Sequence, residues 1–358
     1  MPIPPLYGHE GIRNRLASAI AAGRLPQALL FEGPRGVGKQ RLALWLAQAL
    51  LCEGGRGGGS GAPRNGEACG TCHACKLVLN LSHPDLHWFV PVEPPKKAAD
   101  ANRLVDLVAD ALAEEMAARR DQPLYESPSG LASHGIASVR LLLRRLALTP
   151  AMGRGKVFII GDAERLVPQP GAEAAANALL KALEEPLRDT VFVLTTAQPD
   201  SLLTTILSRV VRVRVARNND SVLAAFAGTE LGLKSQREIA QRVAAADGCV
   251  GRLLAPTGGG LASGESEGAA RFLKALQGGS AQRYAFALAQ QPFQARGGFT
   301  EMLDDLLGRL REQARAGADT DKVVEAIARV LDARRLAQGN VNPQLIAAVL
   351  ADDLAERA

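Results

Sequence analysis

Four of the five cysteines lie close together in the sequence, with the spacing C-x16-C-x2-C-x2-C. They are Cys52, Cys69, Cys72 and Cys75. Four thiolates so placed can form the tetrahedral shell that zinc prefers, and His73 is then not needed as a ligand. The alternative is a set of free buried thiols, but core cysteines have no reason to cluster in a glycine-rich segment. We therefore predict a structural zinc site, and we predict that Cys249 is a small buried apolar residue.

A glycine-rich loop carries a second set of functional residues. Residues 33–40 read GPRGVGKQ, between an apolar strand and a helix, which is the context of a phosphate-binding loop. The positions that fit such a loop are Gly33, Gly36, Gly38 and Lys39. Gln40 stands where the loop needs a hydroxyl to hold Mg²⁺, and an amide is a poor substitute on that cation. The sequence predicts a degenerate phosphate loop with weak or no ATP binding.

The acidic residues that complete an ATPase site are also altered. The apolar strand predicted at 157–160 is followed by Gly161, at the position where an NTPase places an aspartate for Mg²⁺. Asp162 has the position of the residue that polarises water but a shorter reach than glutamate, and Glu164 is interpreted as a helix-starting acid. We therefore predict that ATP can bind here only without hydrolysis.

The elements that position these residues follow from the apolar pattern. Short apolar strands alternate with helices, which predicts a parallel five-stranded sheet covered on both faces. The predicted strands are 28–31, 85–90, 157–160, 191–195 and 210–215. Helical periodicity prevails after residue 217, with a glycine patch at 258–264. The predicted domains are an α/β domain at 1–217, a small helical domain at 218–260 and an all-α domain at 261–358.

The positive charge is concentrated in one part of the chain. The formal net charge of the 358 residues is +5, and residues 131–217 carry twelve Lys and Arg against seven Asp and Glu. Within it Arg140, Arg144 and Arg145 lie on the polar side of a predicted amphipathic helix. They are candidates for contact with DNA phosphates, and a solvated face or a protein-binding surface is an equal alternative. No segment has the features of a signal peptide or a membrane span, so a cytoplasmic protein is expected.

Several motifs together resemble the bacterial clamp-loader AAA+ family. They are the loop at 33–39, the cysteines followed by His83-Pro84-Asp85, the segment NALLKALEEP at 177–186, and Ser208-Arg209. The resemblance extends over about residues 3–256. It implies that 1–217 is an AAA+ domain with a zinc module at about 52–75 and an insertion at about 91–135, that 218–260 is a lid, and that 261–358 is an oligomerisation collar.

The resemblance also implies a function. Clamp loaders are pentamers that open a ring-shaped sliding clamp and close it around primed DNA as part of the DNA polymerase holoenzyme. This chain is more similar to their non-hydrolysing subunit than to the gamma/tau motor, with gamma/tau and delta subunits as its partners. Arg209 matches the arginine that acts in trans on a neighbour's ATP, and Ser208 would position it. Gly251 occupies the place of the motor's nucleotide-sensing arginine.

Two other functions remain open at the sequence level. An active clamp-loader ATPase of gamma/tau type would account for the retained Lys39, but Gln40, Gly161 and Gly251 argue against it. A small-molecule kinase with a phosphate loop and a zinc lid would account for neither Arg209 nor the helical final third of the chain.

Overall fold

The computed structural model describes residue 3 and residues 5–55, 66–93, 100–121, 132–152, 155–167, 171–254, 267–291, 298–315, 320–338 and 341–355. The glycine-rich stretch at 56–65, parts of the predicted insertion (94–99 and 122–131), and the glycine patch with the predicted boundary near 260 lie outside these ranges.

Five parallel strands form one sheet with the order β2-β3-β4-β1-β5. The strands are β1 Ala28–Glu32, β2 Leu86–Phe89, β3 Lys156–Ile160, β4 Thr190–Thr196 and β5 Val211–Arg214. In register, Leu30 lies between Leu194 of β4 and Arg212 of β5. Because parallel strands end at the same edge, the segments that follow β1, β3 and β4 meet there. The predicted parallel five-stranded sheet is confirmed.

Among the described residues up to 254, ten α-helices accompany the sheet. They are α1 Glu10–Ala21, α2 Lys39–Leu51, α3 His73–Leu79, α4 Ala101–Asp121, α5 Ile136–Leu146, α6 Ala174–Glu184, α7 Thr204–Leu207, α8 Asp220–Thr229, α9 Gln236–Ala246 and α10 Val250–Leu253. Helix α6 ends just before Pro186, since proline cannot continue a helix.

The three central strands β3, β4 and β1 are largely apolar and buried because both faces of the sheet are covered there, whereas the edge strand β5 alternates Val and Arg and is mostly exposed. Every residue of β3 is buried, and the rings of Phe158 and Phe192 stack at 5.3 Å between centroids on adjacent strands. A smaller, separate cluster lies between α8, α9 and α10, around Leu223, Phe226 and Leu253. Residues up to 254 nevertheless form a single compact unit.

The second compact unit is entirely helical in its described part. Its helices are α11 Glu267–Leu276, α12 Ser280–Leu288, α13 Gly298–Arg315, α14 Thr320–Gln338 and α15 Pro343–Ala355. They bury a core of their own, with Phe272, Leu303 and Leu350 almost fully inaccessible. The predicted helical C-terminal region is confirmed. Within the described ranges, no helix is both long enough and apolar enough to cross a membrane.

Candidate functional site

The phosphate loop joins β1 to α2 as the sequence predicts. Gly36 and Gly38 adopt φ angles of 79° and 108°, which side chains disfavour. These conformations turn the chain sharply before α2 begins at Lys39. The backbone shape of a phosphate site is therefore present.

The lysine of the loop is engaged by the loop itself. The Nζ of Lys39 donates hydrogen bonds to the carbonyl oxygens of Gly33 and Pro34, at 2.8 and 2.9 Å. The side chain is 6% exposed, and burial lowers its pKa from the usual value, while the nearby Glu164 and Asp162 oppose that shift. The ammonium that would bind phosphate thus already has two oxygen partners in its own chain.

Gln40 and Gly161, which stand where the sequence predicts missing Mg²⁺ ligands, lie side by side. The Nε2 of Gln40 donates to Oδ2 of Asp162 at 3.3 Å. A Cβ atom on residue 161 would lie 2.9 Å from that Nε2. The end of the Gln40 side chain therefore occupies the space beside Gly161, and it would have to shift to admit a side chain there.

Glu164 lies inside this site rather than on the surface. It is in a 3-10 turn, Ala163–Leu166, after β3, and its Oε1 accepts a hydrogen bond from the backbone N–H of Ala197 at 3.3 Å. Burial raises the pKa of its carboxyl, and the charge of Asp162 adds to the effect. Glu164 does lie in the first turn of a short helix, as the sequence predicts, but the sequence did not show that this carboxyl is buried and acts electrostatically on Lys39.

The start of α10 packs directly on the phosphate loop. The backbone N–H of Gly251 donates to the carbonyl oxygen of Gly36 at 2.8 Å, and a Cβ on Gly251 would lie 2.7 Å from the Cα of Gly36. Arg252 turns to Asp247, with 3.5 Å between Nη1 and Oδ2. Gly251 is therefore held in a backbone contact that covers the loop.

His9 is a residue of this site that the sequence did not reveal. Its Nε2 lies 2.9 Å from the carbonyl oxygen of Val37, so it donates to the loop. Burial lowers the pKa of its imidazole, which favours the neutral ring. His9 has no motif around it, and only the packing of the N-terminal segment on the loop brings it there.

The four predicted metal ligands come together. Their Sγ atoms all lie within 4.8 Å of one another, and the pairs Cys52–Cys72 and Cys69–Cys75 are 3.9 Å apart. His73 is the first residue of α3, is exposed and is outside this group. The arrangement can hold a metal ion, and a set of four thiolates suits zinc.

The backbone around the cysteines prepares them for a cation. The N–H groups of Cys69, Cys72 and Cys75 donate to the sulfurs of Cys52, Cys69 and Cys72, at 3.3 to 3.4 Å. Hydrogen bonds from the backbone of Cys72 and Thr71 lower the pKa of Cys69 to about 6, whereas burial raises the pKa of Cys75. The N–H donors favour the thiolates that a metal needs.

The cysteine cluster also connects to α1. A Cβ on Gly66 would lie 2.0 Å from the carbonyl oxygen of Ala17, so the segment leading to Cys69 runs hard against that helix. Arg13 of α1 forms an ion pair with Glu67 at 3.5 Å, and its guanidinium lies over the ring of Trp45. The cluster therefore fixes a loop onto the helix that follows His9.

Arg209 lies just after α7, on the same side as the end of α6. Its Nε and Nη2 both donate to Oε1 of Glu184, the first at 2.7 Å. Its Nη1 donates to the carbonyl oxygen of Thr205 at 2.6 Å and to Oγ of Ser208 at 3.2 Å. The Arg209 side chain is 28% exposed.

The three arginines of α5 do not share one environment. Arg140 and Arg144 are exposed, and Nη1 of Arg144 lies 3.2 Å from Oδ1 of Asp106 on α4. Arg145 is only partly exposed, with its guanidinium 5.7 Å from the centre of the Phe89 ring. This differs from the expected single polar face, because Arg145 lies at the edge of the apolar side.

The sequence is similar to known replication proteins. DNA polymerase III subunit delta' of Bacillus subtilis is 35% identical over 198 residues, 55% of this chain and 44% of that protein. DNA polymerase III subunit tau of Escherichia coli is 26% identical over 354 residues, 98% of this chain and 45% of that protein. The chain spans less than half the length of these two relatives.

Two further comparisons concern a solved structure and a protein family. A gamma subunit-related protein of DNA polymerase III from Thermotoga maritima aligns with 96% of this chain and 99% of its own, at 15% identity and a TM-score of 0.39, too low to bear on the fold. The family model described as "DNA polymerase III, delta subunit" matches residues 8–219, more than half of the chain. The chain belongs to this family.

Proposed function

We propose that this chain is a clamp-loader subunit of the delta prime type, which does not hydrolyse ATP and supplies Arg209 to the ATP site of a neighbouring subunit. The observation that carries the proposal is a difference in exposure. Lys39 of the chain's own phosphate loop is buried and bonded to the loop, and α10 covers Gly36. Arg209 is also hydrogen-bonded within the chain, but it is partly exposed and its charged partner Glu184 is exposed as well. An arginine that acts in trans must reach the phosphates of a neighbouring subunit, so it needs an accessible position.

Ser208 has the contact expected of a positioning residue. Its Oγ accepts a hydrogen bond from Arg209 and donates one to the carbonyl oxygen of Thr205 at 3.1 Å. The guanidinium itself is always charged and can bind two phosphate oxygens at once. Ser208 and Arg209 are thus proposed to act as a pair.

The test is Arg209→Ala in a loader reconstituted with gamma/tau and delta subunits, clamp and primed DNA. We expect steady-state ATP turnover to fall by roughly tenfold or more, since an arginine finger can contribute about 10³ to 10⁵ in rate. Arg212→Ala is the matched control, because Arg212 is also an exposed, ion-paired arginine, 2.7 Å from Glu32. Unchanged turnover in Arg209→Ala would refute the proposal.

A second candidate is an active ATPase of gamma/tau type. The similarity to E. coli tau over 98% of the chain favours it, as does the retained Lys39. Against it stand the Gln40–Asp162 hydrogen bond and the cover of Gly251 on the loop. We expect the purified chain to show no Mg²⁺-dependent ATP hydrolysis; turnover abolished by Lys39→Ala would establish this second function instead.

The metal at the cysteine cluster is proposed to be a structural zinc ion. The four Sγ atoms converge, and the segment that leads to Cys69 contacts α1 through Gly66 and Glu67, which suits a structural role. We expect one zinc per chain by elemental analysis of the purified protein.

The roles of the two helical regions are also proposals. A core confined to α11–α15 supports a separate collar at 261–358, and the small cluster of α8–α10 supports a lid at 218–260. Co-purification with gamma/tau and delta subunits, with and without residues 261–358, tests the collar.

DNA contact is proposed for the exposed Arg140 and Arg144 alone. Because Asp106 pairs with Arg144, DNA phosphate would have to displace that carboxylate. Reversing both charges should lower DNA-stimulated ATP turnover. If neither turnover nor assembly changes, these two arginines only line a solvated face of α5.

A further inference from the structure

Arg209 is not free to bind an outside phosphate in the conformation that the chain adopts alone. A guanidinium has five N–H donors. Four hydrogen bonds already connect those of Arg209 to its own chain, two of them to Glu184 Oε1 and one each to Thr205 and Ser208. A phosphate that takes two parallel hydrogen bonds must therefore displace at least one of these acceptors.

Glu184 is the acceptor that carries a negative charge. It is the last residue of α6, and it takes both the Nε and Nη2 donors, which form one complete edge of the guanidinium. That edge is one of the two through which arginine forms paired hydrogen bonds to a carboxylate or a phosphate. The carboxylate and a triphosphate therefore compete for the same atoms.

The Glu184 contact is also easily exchanged. Its side chain is 44% exposed and that of Arg209 is 28% exposed. Ion pairs at such exposure are weak, whereas a triphosphate carries more negative charge than one carboxylate. The two remaining acceptors, the carbonyl oxygen of Thr205 and Oγ of Ser208, are neutral and come from the turn that leads to Arg209, so they can stay in place when Glu184 is displaced.

We propose that Glu184 is a positioning residue for Arg209: its carboxylate holds the guanidinium against its own chain and releases it when the triphosphate of a neighbouring subunit arrives. This rests on the proposed role of Arg209 in trans. The partner at this surface is thus a triphosphate bound to another subunit, and Glu184 sets how readily Arg209 engages it.

The test separates binding from turnover in the reconstituted loader. Glu184→Gln keeps the shape of the side chain and removes its charge. We expect the ATP concentration for half-maximal turnover to fall by about two- to fivefold, the range that an exposed ion pair supports, with maximal turnover unchanged. Glu185→Gln is the matched control, because it removes the same charge one residue later from another exposed side chain.

The outcomes are distinguishable from a failure of the proposed function. Loss of turnover in Arg209→Ala, together with an equal or higher half-maximal concentration in Glu184→Gln, would overturn the role of Glu184 alone. No effect of Arg209→Ala would overturn both. In the Arg209→Ala background we expect Glu184→Gln to change nothing, and a persisting change would show that Glu184 acts through another residue.

Discussion

The cysteine cluster and the phosphate loop are both ligand sites that a short motif specifies, yet the fold treats them in opposite ways. The four sulfurs face one another, and backbone N–H groups donate to three of them. In the loop, Lys39 donates to its own carbonyls, and Gly36 accepts a hydrogen bond from Gly251. A motif therefore sets the local backbone but does not ensure that its ligand-binding groups are free: the loop's own carbonyl oxygens engage Lys39, and a distant segment, α10, covers Gly36.

The largest effect is expected at the cysteine cluster, because the proposed zinc ion would contribute its binding energy directly to folding. We expect Cys75→Ser to abolish metal retention and to lower the free energy of unfolding by roughly 3 to 5 kcal/mol, because metal binding at such sites is folding energy. Elemental analysis and denaturant unfolding measure the two quantities.

The control for this prediction is Cys249→Ala, which removes a buried thiol outside the cluster. Cys249→Ala should retain the metal, and its free energy of unfolding should fall by only about 1 to 2 kcal/mol. Full metal content in Cys75→Ser would refute the four-cysteine metal site, and with it the difference proposed between the cysteine cluster and the phosphate loop.

A second prediction concerns pH: protonation of His134 at low pH should lower the free energy of unfolding. This fully buried imidazole lies with Nε2 2.6 Å from the carbonyl oxygen of Gly161, and burial lowers its pKa to about 4. Below the unfolded pKa of 6.5, only the unfolded chain takes up the proton. The stability is therefore complete above pH 6.5 and is lost progressively as the pH falls to 4, by about 3 kcal/mol at most.

The measurement is the free energy of unfolding of the metal-loaded protein between pH 7 and 4, with His134→Gln as the comparison. The variant should be less stable at pH 7 but should show a shallower fall, since one of the titrating groups is gone. Equal slopes would show that His134 does not titrate as its burial requires.

The smallest effect is expected where Gly251 of α10 packs against Gly36 of the phosphate loop. Gly251→Ala should destabilise the protein by about 1 to 3 kcal/mol, because the added methyl would lie 2.7 Å from the Cα of Gly36. Gly228→Ala in α8 is the matched control: its methyl meets nothing within 4 Å, and alanine favours a helix, so stability should be unchanged or higher. The midpoints of thermal unfolding of the two variants measure whether α10 packs tightly on the phosphate loop.

Much of the fold could be predicted from periodicity. All five strands were found within a few residues of their predicted positions, as with β4, predicted at 191–195 and observed at Thr190–Thr196. The order of the strands could not be predicted, because an apolar run does not say which neighbour it pairs with. The same limit applies to Arg145, whose spacing allows either edge of the apolar side of α5 and whose place over Phe89 depends on β2.

By itself, the sequence determined which chemical groups each site contains: four cysteines at metal-ligand spacing, a phosphate loop without its hydroxyl, and a glycine in place of an acid directly after β3. These properties are local, because they depend on residue type and on spacing along one or two elements. Only the tertiary structure decided that Gln40 fills the space beside Gly161 and that Glu184 takes the donors of Arg209. Such partners are 25 to more than 100 residues apart, and strand order and helix packing bring them together.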